Sequence, residues 1–291
     1  MIESEQPTEF DPAKYNFKAL AWRSLVVIIV SMFMASLFFG VVFYFIAPQS
    51  NVIMLGLITF FGMLLPAVFI AYYSPFTLEA ALRLRPFHFF HLIIGLAGLL
   101  ACLGINIGIQ SIFFRLMPGV YENVLNTFDS GVFDELVKYS ASGIASPQFA
   151  LATFTIAVLP AIGEEFFFRG LFLRTLEQWM TPMRAIIISS AIFAALHINP
   201  FNLFTIFALG ALLAAISIST RSIFPAMIFH FLFNFASVLA YFIDPAATDS
   251  TKDLLQLLPA ITILIVSLVT LYLIIIYFLR SRSLEASGGQ N

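Results

Sequence analysis

Long apolar segments are the feature that most constrains the fold of this 291-residue chain. A helix needs roughly 20 apolar residues to cross the hydrocarbon core of a bilayer, and about eight segments approach that length. Hydrophobic residues make up 60% of the chain and charged residues only 10%, which excludes an ordinary soluble domain. The sequence lacks the alternating strands of roughly ten residues that are typical of a membrane β-barrel. It therefore predicts an all-α membrane protein, a polytopic bundle of about eight transmembrane helices.

The predicted spans follow one another along a single helical membrane domain, residues 19–280, with polar tails at 1–18 and 281–291. The first span is too long for a removed signal peptide and is expected to remain as an anchor. We expect short surface helices in the one long outer connection, Arg115–Gln148. The spans are placed at Ser24–Ile46, Val52–Tyr73, His88–Phe113, Phe149–Phe172, Arg184–His197, Leu203–Thr220, Ser222–Ile243 and Leu258–Leu279.

Basic residues are distributed unevenly between the two sides of this predicted bundle. If the N-terminus is cytoplasmic, only three of the 14 Lys and Arg residues lie on the outer side: Arg115, Lys138 and Lys252. The positive-inside rule therefore predicts that both termini are cytoplasmic. The compact single domain suggests a bacterial inner-membrane protein. The net charge of −2 provides no basic field for nucleic acid, so the expected partners are the lipid bilayer and a membrane-associated substrate.

Two adjacent carboxylates inside the fourth predicted span point to function. An ionised side chain at the bilayer centre costs roughly 2.5–3.5 kcal/mol, yet this span carries Glu164, Glu165 and Arg169. Glu165 and Arg169 are spaced i,i+4 and share one helix face. Glu164 is rotated from Glu165 by about 100°. We therefore expect one carboxylate to pair with Arg169 while the other faces a reaction site.

Two further spans each supply a histidine, His197 and His230, and Asn234 follows one turn after the second. Counted at about 1.5 Å per residue from the predicted cytoplasmic ends, Glu164 and these three residues lie roughly 12–20 Å deep. They can therefore meet at one level of the membrane. Such a set can hydrolyse an amide bond. Glu164 and His197 would hold and deprotonate a water, while His230 and Asn234 would donate hydrogen bonds to the developing oxyanion.

Three short motifs carry a resemblance to a known family. Residues 164–169 fit EExxxR, residues 193–197 fit FxxxH and residues 230–234 fit HxxxN. In this order and inside apolar spans, they resemble the motifs of the CAAX protease and bacteriocin-processing family of intramembrane proteases (CPBP or Abi). The resemblance implies an eight-helix fold with its catalytic core at about residues 149–243. It also implies a metal-independent glutamate endopeptidase that needs no cofactor.

The resemblance also implies a role for each site residue. Glu164 would be the catalytic base and His197 would position the water. His230 and Asn234 would stabilise the oxyanion. The supporting residues would be Glu165, Arg169 and Phe193. The substrate would be a membrane-associated or lipidated peptide or protein, which for eukaryotic members is a prenylated CAAX protein.

Each alternative mechanism predicts particular sequence features. The HExxH, GxSxG and GxGD motifs of other protease classes are absent from the sequence. A metal site stays open as an alternative, because Glu164, His197 and His230 make a possible His₂Glu ligand set. A proton-coupled transporter also places ionisable groups in spans, but it predicts paired features in two inverted halves. A non-catalytic immunity or scaffold protein on the same fold should tolerate loss of Glu164.

Other polar and aromatic residues receive simpler interpretations. Asn106 and Gln110, spaced i,i+4 in the third span, are expected to make hydrogen bonds between helices. The single cysteine, Cys102, excludes an intrachain disulfide. The phenylalanines are expected mainly to face lipid or to pack between helices. For Phe166–Phe168, beside the carboxylates, the alternative is that they shape a hydrophobic substrate groove.

Overall fold

The computed structural model describes residues 14–46, 51–120, 132–197, 202–243 and 256–288. Within these ranges every regular element is a helix and there is no strand, so the predicted all-α class is confirmed. Seven helices are long and apolar enough to cross a membrane, as judged by length and composition. The chain is therefore an integral membrane protein.

The helices are numbered here in chain order. They are α1 (Phe17–Ile46), α2 (Asn51–Tyr72), α3 (Leu78–Leu82), α4 (Phe90–Leu116), α5 (Val132–Ser140), α6 (Pro147–Leu176), α7 (Pro182–Leu196), α8 (Leu203–Thr220), α9 (Phe224–Ile243) and α10 (Leu257–Gly288). A helix lies at each of the eight predicted spans. Helix α7 differs from the other seven because its 15 residues reach only about 22 Å, less than the roughly 30 Å hydrocarbon core.

The connections and tails only partly fall within the described residues. Helix α5 is a short helix in the predicted outer connection, as expected, but residues 121–131 lie outside the described ranges. So do residues 1–13 and 289–291 of the predicted tails. Helix α10 continues to Gly288, well beyond the predicted end of the last span. The single domain over residues 19–280 stays a prediction.

Three π-helical segments interrupt the long helices. They are Phe60–Leu64 in α2, and Thr153–Val158 and Phe166–Phe172 in α6. The first two each lie just before a proline, Pro66 or Pro160, which has no N–H to continue the α-helical ladder. The two segments in α6 flank the stretch that carries both glutamates. Such π-turns are rare and occur frequently at functional sites.

Small residues let α4 approach α10 closely. A Cβ atom added at Gly104 would lie 2.2 Å from Ser267 Oγ, and one added at Gly108 would lie 2.9 Å from Leu264 Cβ. These two glycines form a GxxxG pattern, which is a common basis of close helix packing in membranes. The packing of α10 on α4 therefore depends on the absence of side chains at both positions.

Polar side chains connect α4 to the start of α8. Gln110 Nε2 donates to Asn106 Oδ1 at 2.9 Å and to Asn202 Oδ1 at 3.2 Å. Thr205 Oγ1 donates to Asn106 Oδ1 at 3.2 Å. The predicted interhelical hydrogen bonding of Asn106 and Gln110 is therefore confirmed. It positions α8, the most buried of the seven spans, at the centre of the bundle.

The start of α1 and the end of α10 lie at the same end of the bundle. The Trp22 ring on α1 lies 6.4 Å from the Phe172 ring near the end of α6. Ser219 Oγ, near the end of α8, lies 2.9 Å from Ser281 Oγ on α10. This end is called the carboxyl end of α6 below. The side of the membrane that this end faces stays a prediction.

Candidate active site

A fully buried ion pair forms the base of the site. Arg169 Nη1 lies 2.7 Å from Glu165 Oε1, and both side chains are 0% exposed. Arg169 Nη2 also donates to the Gly210 carbonyl of α8 at 3.2 Å. The guanidinium lies over the Phe193 ring, 4.4 Å from its centroid. Glu165 is therefore the carboxylate that pairs with Arg169, as the i,i+4 spacing predicts.

His230 connects this ion pair to Glu164. Its Nδ1 atom lies 2.8 Å from Glu165 Oε1, and an ionised carboxylate can only accept. The Nδ1–H group therefore donates to Glu165, which fixes the orientation of the ring. The other nitrogen, Nε2, lies 3.8 Å from Glu164 Oε2. His230 is buried, so it faces one carboxylate with each ring nitrogen.

His197 approaches Glu164 from the end of α7. Its Nδ1 atom lies 2.8 Å from the Phe193 carbonyl, which can only accept, so Nδ1 carries the hydrogen. Its Nε2 atom lies 3.7 Å from Glu164 Oε2. The side chain is 33% exposed, whereas His230 is buried. Both histidines thus turn Nε2 towards the same carboxylate oxygen.

Glu164 Oε2 lies at the centre of this arrangement, which we call the Glu164 cluster (Glu164, His197 and His230). The two Nε2 distances are longer than a direct hydrogen bond. Oε2 is buried, and it has no hydrogen-bond partner in the described part of the chain. Buried polar atoms are rarely left without a partner, and a water lying beside these three groups would supply one. The cluster can therefore hold a small polar molecule between a carboxylate and two imidazoles.

Asn234 lies one turn beyond His230 on α9 and packs against the α6 backbone. Its Nδ2 atom donates to the Ile156 carbonyl at 3.1 Å. In an α-helix that carbonyl would accept from residue 160, but Pro160 has no N–H. Asn234 therefore supplies a donor that the proline removes. The amide has two N–H groups, and this bond uses one of them.

Residues 146–236 match the Rce1-like family. The family is described as type II CAAX prenyl endopeptidase Rce1-like, and the matched segment is about a third of the chain. The predicted resemblance to CAAX proteases is confirmed over this segment. All the predicted site residues lie within it. The comparison with curated proteins and the comparison with solved structures gave no match.

Aromatic rings hold the charged groups of the Rce1-like segment in place. The Phe193 ring lies 4.7 Å from the His197 ring and 5.8 Å from the His230 ring. Phe193 is 1% exposed, so it packs in the core beside both histidines. Phe167 and Phe168 are equally buried. The expectation of packing is therefore confirmed for these two residues, which lie in the core, and the alternative of a substrate groove is wrong for them.

The sequence did not predict two contacts within residues 146–236. A proline inside a predicted helix leaves the carbonyl one turn earlier without its usual N–H donor. Pro160 therefore indicated that this carbonyl needs another donor, which is Asn234. The contact of Arg169 with the Gly210 carbonyl has no sequence signal. Gly210 lies where α8 packs closely on α7, and a Cβ added there would lie 3.1 Å from Ser190 Cβ.

The geometry also bears on the alternative metal site. Among the described residues, no group of three or more His, Cys, Asp or Glu side chains is arranged to hold a metal ion. The predicted His₂Glu set is the Glu164 cluster itself. Comparing cleavage with and without a strong chelator distinguishes a metal mechanism from a metal-free one.

Proposed function

We propose that this protein is a glutamate-type intramembrane endopeptidase, which cleaves a peptide bond in a membrane-associated or lipidated protein or peptide. One observation carries the proposal. Glu164 Oε2 faces the Nε2 atoms of both His197 and His230. The supporting comparison is that this cluster lies within the segment that matches prenyl endopeptidases.

The proposed first step is the activation of a water between Glu164 and His197. The water donates one hydrogen to the Glu164 carboxylate and the other to His197 Nε2, because Nδ1–H of His197 is held by the Phe193 carbonyl. Its oxygen attacks the carbonyl carbon of the substrate while Glu164 takes the proton. Glu164 then passes this proton to the amide nitrogen as the C–N bond breaks. The products are a carboxyl terminus and an amine.

The proposed second element is stabilisation of the oxyanion by His230 and Asn234. If Glu164 and Glu165 are both ionised, the positive charge of Arg169 neutralises only one of their two negative charges. A proton on His230 would neutralise the other, because each ring nitrogen faces a carboxylate. Nε2–H would then donate to the oxyanion, as would the second N–H of Asn234. Removing one such donor typically lowers kcat by roughly 10²–10³-fold.

The proposed setting is a bacterial inner membrane with both termini cytoplasmic and the site open to the cytoplasm. The distribution of basic residues supports this orientation. The common location of the first turns of α1 and the last turns of α10 supports both termini lying on one side. Cysteine labelling of a Lys14→Cys/Cys102→Ala variant in sealed vesicles, with a membrane-impermeant reagent, measures the side on which α1 begins.

The proposal is tested by measuring proteolysis with the purified protein in nanodiscs. The substrates are a peptide with a prenylated CAAX terminus, the same peptide without the prenyl group, and a mixture of membrane peptides. Wild type is compared with Glu164→Gln, which keeps the shape of the side chain but cannot take a proton. Glu135→Gln is the matched control, because Glu135 accepts from the Val52 N–H of α2, far from the cluster. Each protein is assayed with and without a strong chelator.

We expect Glu164→Gln to lose at least roughly 10²-fold in rate, while Glu135→Gln retains activity. Cleavage that survives the chelator supports the metal-free mechanism, and cleavage lost with the chelator supports the His₂Glu metal alternative. Equal cleavage by wild type and a folded Glu164→Gln variant would refute the role of Glu164. If no substrate is cleaved and Glu164→Gln preserves cellular function, the protein is a non-catalytic immunity or scaffold protein instead.

A further inference from the structure

Helix α5 packs across the amino end of α6, which is the end of the bundle opposite the carboxyl end of α6. Helices α2 and α6 begin at this end and α9 finishes there. Each of these three spans contributes buried apolar side chains that pack together with Leu136 of α5. We call this set the apolar layer, and its buried members are Val52, Leu136, Ala152, Val238 and Phe242.

The apolar layer lies between α5 and the Glu164 cluster. Ile156 packs against the layer and precedes Glu164 by eight residues on α6. Val238 belongs to the layer and follows His230 by eight residues on α9. Eight helical residues span about 12 Å, so the layer lies at a similar distance from the site along both helices. The Asn234 side chain connects the two helices between these levels, through its hydrogen bond to the Ile156 carbonyl.

The apolar layer is closely packed. Its five buried side chains have exposed fractions of 5% or less. The Phe149 ring packs against the layer, 5.0 Å from the Phe242 ring. Water occupies a protein interior where polar groups can bind it, whereas apolar interiors stay dry. The layer therefore offers water no route from α5 to the Glu164 cluster.

A buried carboxylate fixes α5 to the start of α2. Glu135 is 6% exposed. Its Oε2 atom accepts from the Val52 N–H at 2.9 Å, and its Oε1 atom accepts from the Tyr139 hydroxyl at 2.5 Å. The first N–H groups of a helix have no partner within the helix, and a negative charge is stabilised beside them. Glu135 therefore ties α5 to one of the three spans that it covers.

The two faces of α5 differ in the way that a cover requires. Leu136 is buried in the apolar layer, whereas Lys138, two residues later, is exposed. Tyr139 packs against the layer, and its hydroxyl bonds Glu135. Burial and the Glu135 carboxylate raise the pKa of Tyr139 to about 12, so the hydroxyl keeps its hydrogen and stays a donor at physiological pH.

We propose that α5 is a plug, which closes the amino end of the bundle over the Glu164 cluster and is held in place by the Glu135 carboxylate. With the plug in place, water and substrate do not reach Glu164 from this end. Such a closure suits the proposed hydrolytic function, because a wet site with ionisable groups that opened at both ends would also conduct protons. The inference rests on the proposed function for its purpose, but the closure is measured without proteolysis.

The test measures the rate at which a charged, membrane-impermeant maleimide reacts with the full-length protein in sealed vesicles of either orientation. The reporter is Val238→Cys in a Cys102→Ala chain, since Cys102 is the single cysteine. Lys138→Cys in the same background identifies the side that α5 faces, because Lys138 is exposed. A third reporter, Ala214→Cys, lies at a fully buried position of the main core on α8.

Glu135→Ala is the decisive variant, because it removes the acceptor of both hydrogen bonds. Tyr139→Phe is a milder second variant, which keeps the ring that packs on the apolar layer but removes the hydroxyl. Lys138→Ala is the matched control, since it changes an exposed residue of the same helix.

With the plug unaltered, we expect Val238→Cys to react from the α5 side at least roughly tenfold more slowly than Lys138→Cys. Glu135→Ala should raise the rate at Val238→Cys roughly tenfold or more, because charge-assisted hydrogen bonds are lost. Tyr139→Phe should raise it less, and Lys138→Ala should leave it unchanged. Equal rates at Val238→Cys and Lys138→Cys with the plug unaltered would overturn the proposal. So would no increase in Glu135→Ala, or an equal increase at Ala214→Cys, which would indicate general loosening of the bundle.

Discussion

The buried ion pair between Glu165 and Arg169 allows a quantitative test of how the site is held together. Replacing Arg169 with methionine keeps an apolar side chain of similar length but removes the charge. Glu165 is 0% exposed, so its carboxylate would be left in the core with only His230 as a partner. The Gly210 carbonyl would also lose its donor. The expected effect is therefore a loss of stability.

The magnitude follows from the burial of both partners. Removing one member of a buried ion pair costs about 3–5 kcal/mol, because the remaining charge is uncompensated. This corresponds to a change of roughly 10²- to 10³·⁵-fold in the unfolding equilibrium constant. Adding Glu165→Gln to the same chain removes the stranded charge, while the amide oxygen still accepts from His230 Nδ1. The double variant should therefore be at least about 1 kcal/mol more stable than Arg169→Met.

The assay is equilibrium unfolding in mixed micelles with increasing denaturing detergent, followed by circular dichroism. Arg184→Met is the control, since it removes an exposed arginine and should change the free energy of unfolding by less than about 0.5 kcal/mol. The reasoning is refuted if Arg169→Met costs less than about 1 kcal/mol. It is also refuted if the double variant is no more stable than Arg169→Met, because the cost would then not come from a stranded charge.

Two further predictions concern helix packing and the α6 backbone. Gly108→Ala should lower the stability of the bundle by about 1–3 kcal/mol, because the added Cβ would meet α10. Gly40→Ala is the control: it has open space around it and should be neutral or stabilising by up to about 1 kcal/mol. Thermal unfolding in detergent measures both variants, and equal effects would contradict the packing argument. Asn234→Ala should cost about 1–3 kcal/mol by leaving the Ile156 carbonyl without a partner. Adding Pro160→Ala should restore part of that loss by supplying a backbone N–H, and unfolding measurements that find no recovery would show that Asn234 has another structural role.

The helical architecture was predictable because the length of an apolar run directly reflects the thickness of a bilayer. Every predicted span contains a helix. Helix α7 illustrates the limit of that rule, because its apolar run is shorter than the roughly 20 residues that a crossing needs. The described helix ends at Leu196, and His197 turns its ring back to the Phe193 carbonyl. The sequence predicted a short span here, Arg184–His197, and the structure has a 15-residue helix that positions His197 beside Glu164.

The candidate site was predictable where local spacing decides the geometry. The i,i+4 rule placed Arg169 beside Glu165, and the rotation between adjacent residues turned Glu164 away from that pair. The rule does not say which helices come together, so the position of His230 between both glutamates required the structure. The i,i+4 rule also assumes a regular α-helix. The π segments of α6 and Pro160 alter the backbone near Asn234, so the hydrogen bond from Asn234 to the Ile156 carbonyl required the structure.

The cavity lined by Arg83, Arg85, Arg174 and Arg221 was not predictable because its arginines come from three separate parts of the chain, and each appears in the sequence only as an ordinary basic residue. Yet the structure gives it a direct connection to the site through α6. Leu82, the residue before Arg83, packs on Gly170, where an added Cβ would lie 3.1 Å from Leu82 Cα. Gly170 directly follows Arg169. The packing of α3 therefore bears on the same turn of α6 that presents Arg169 to Glu165.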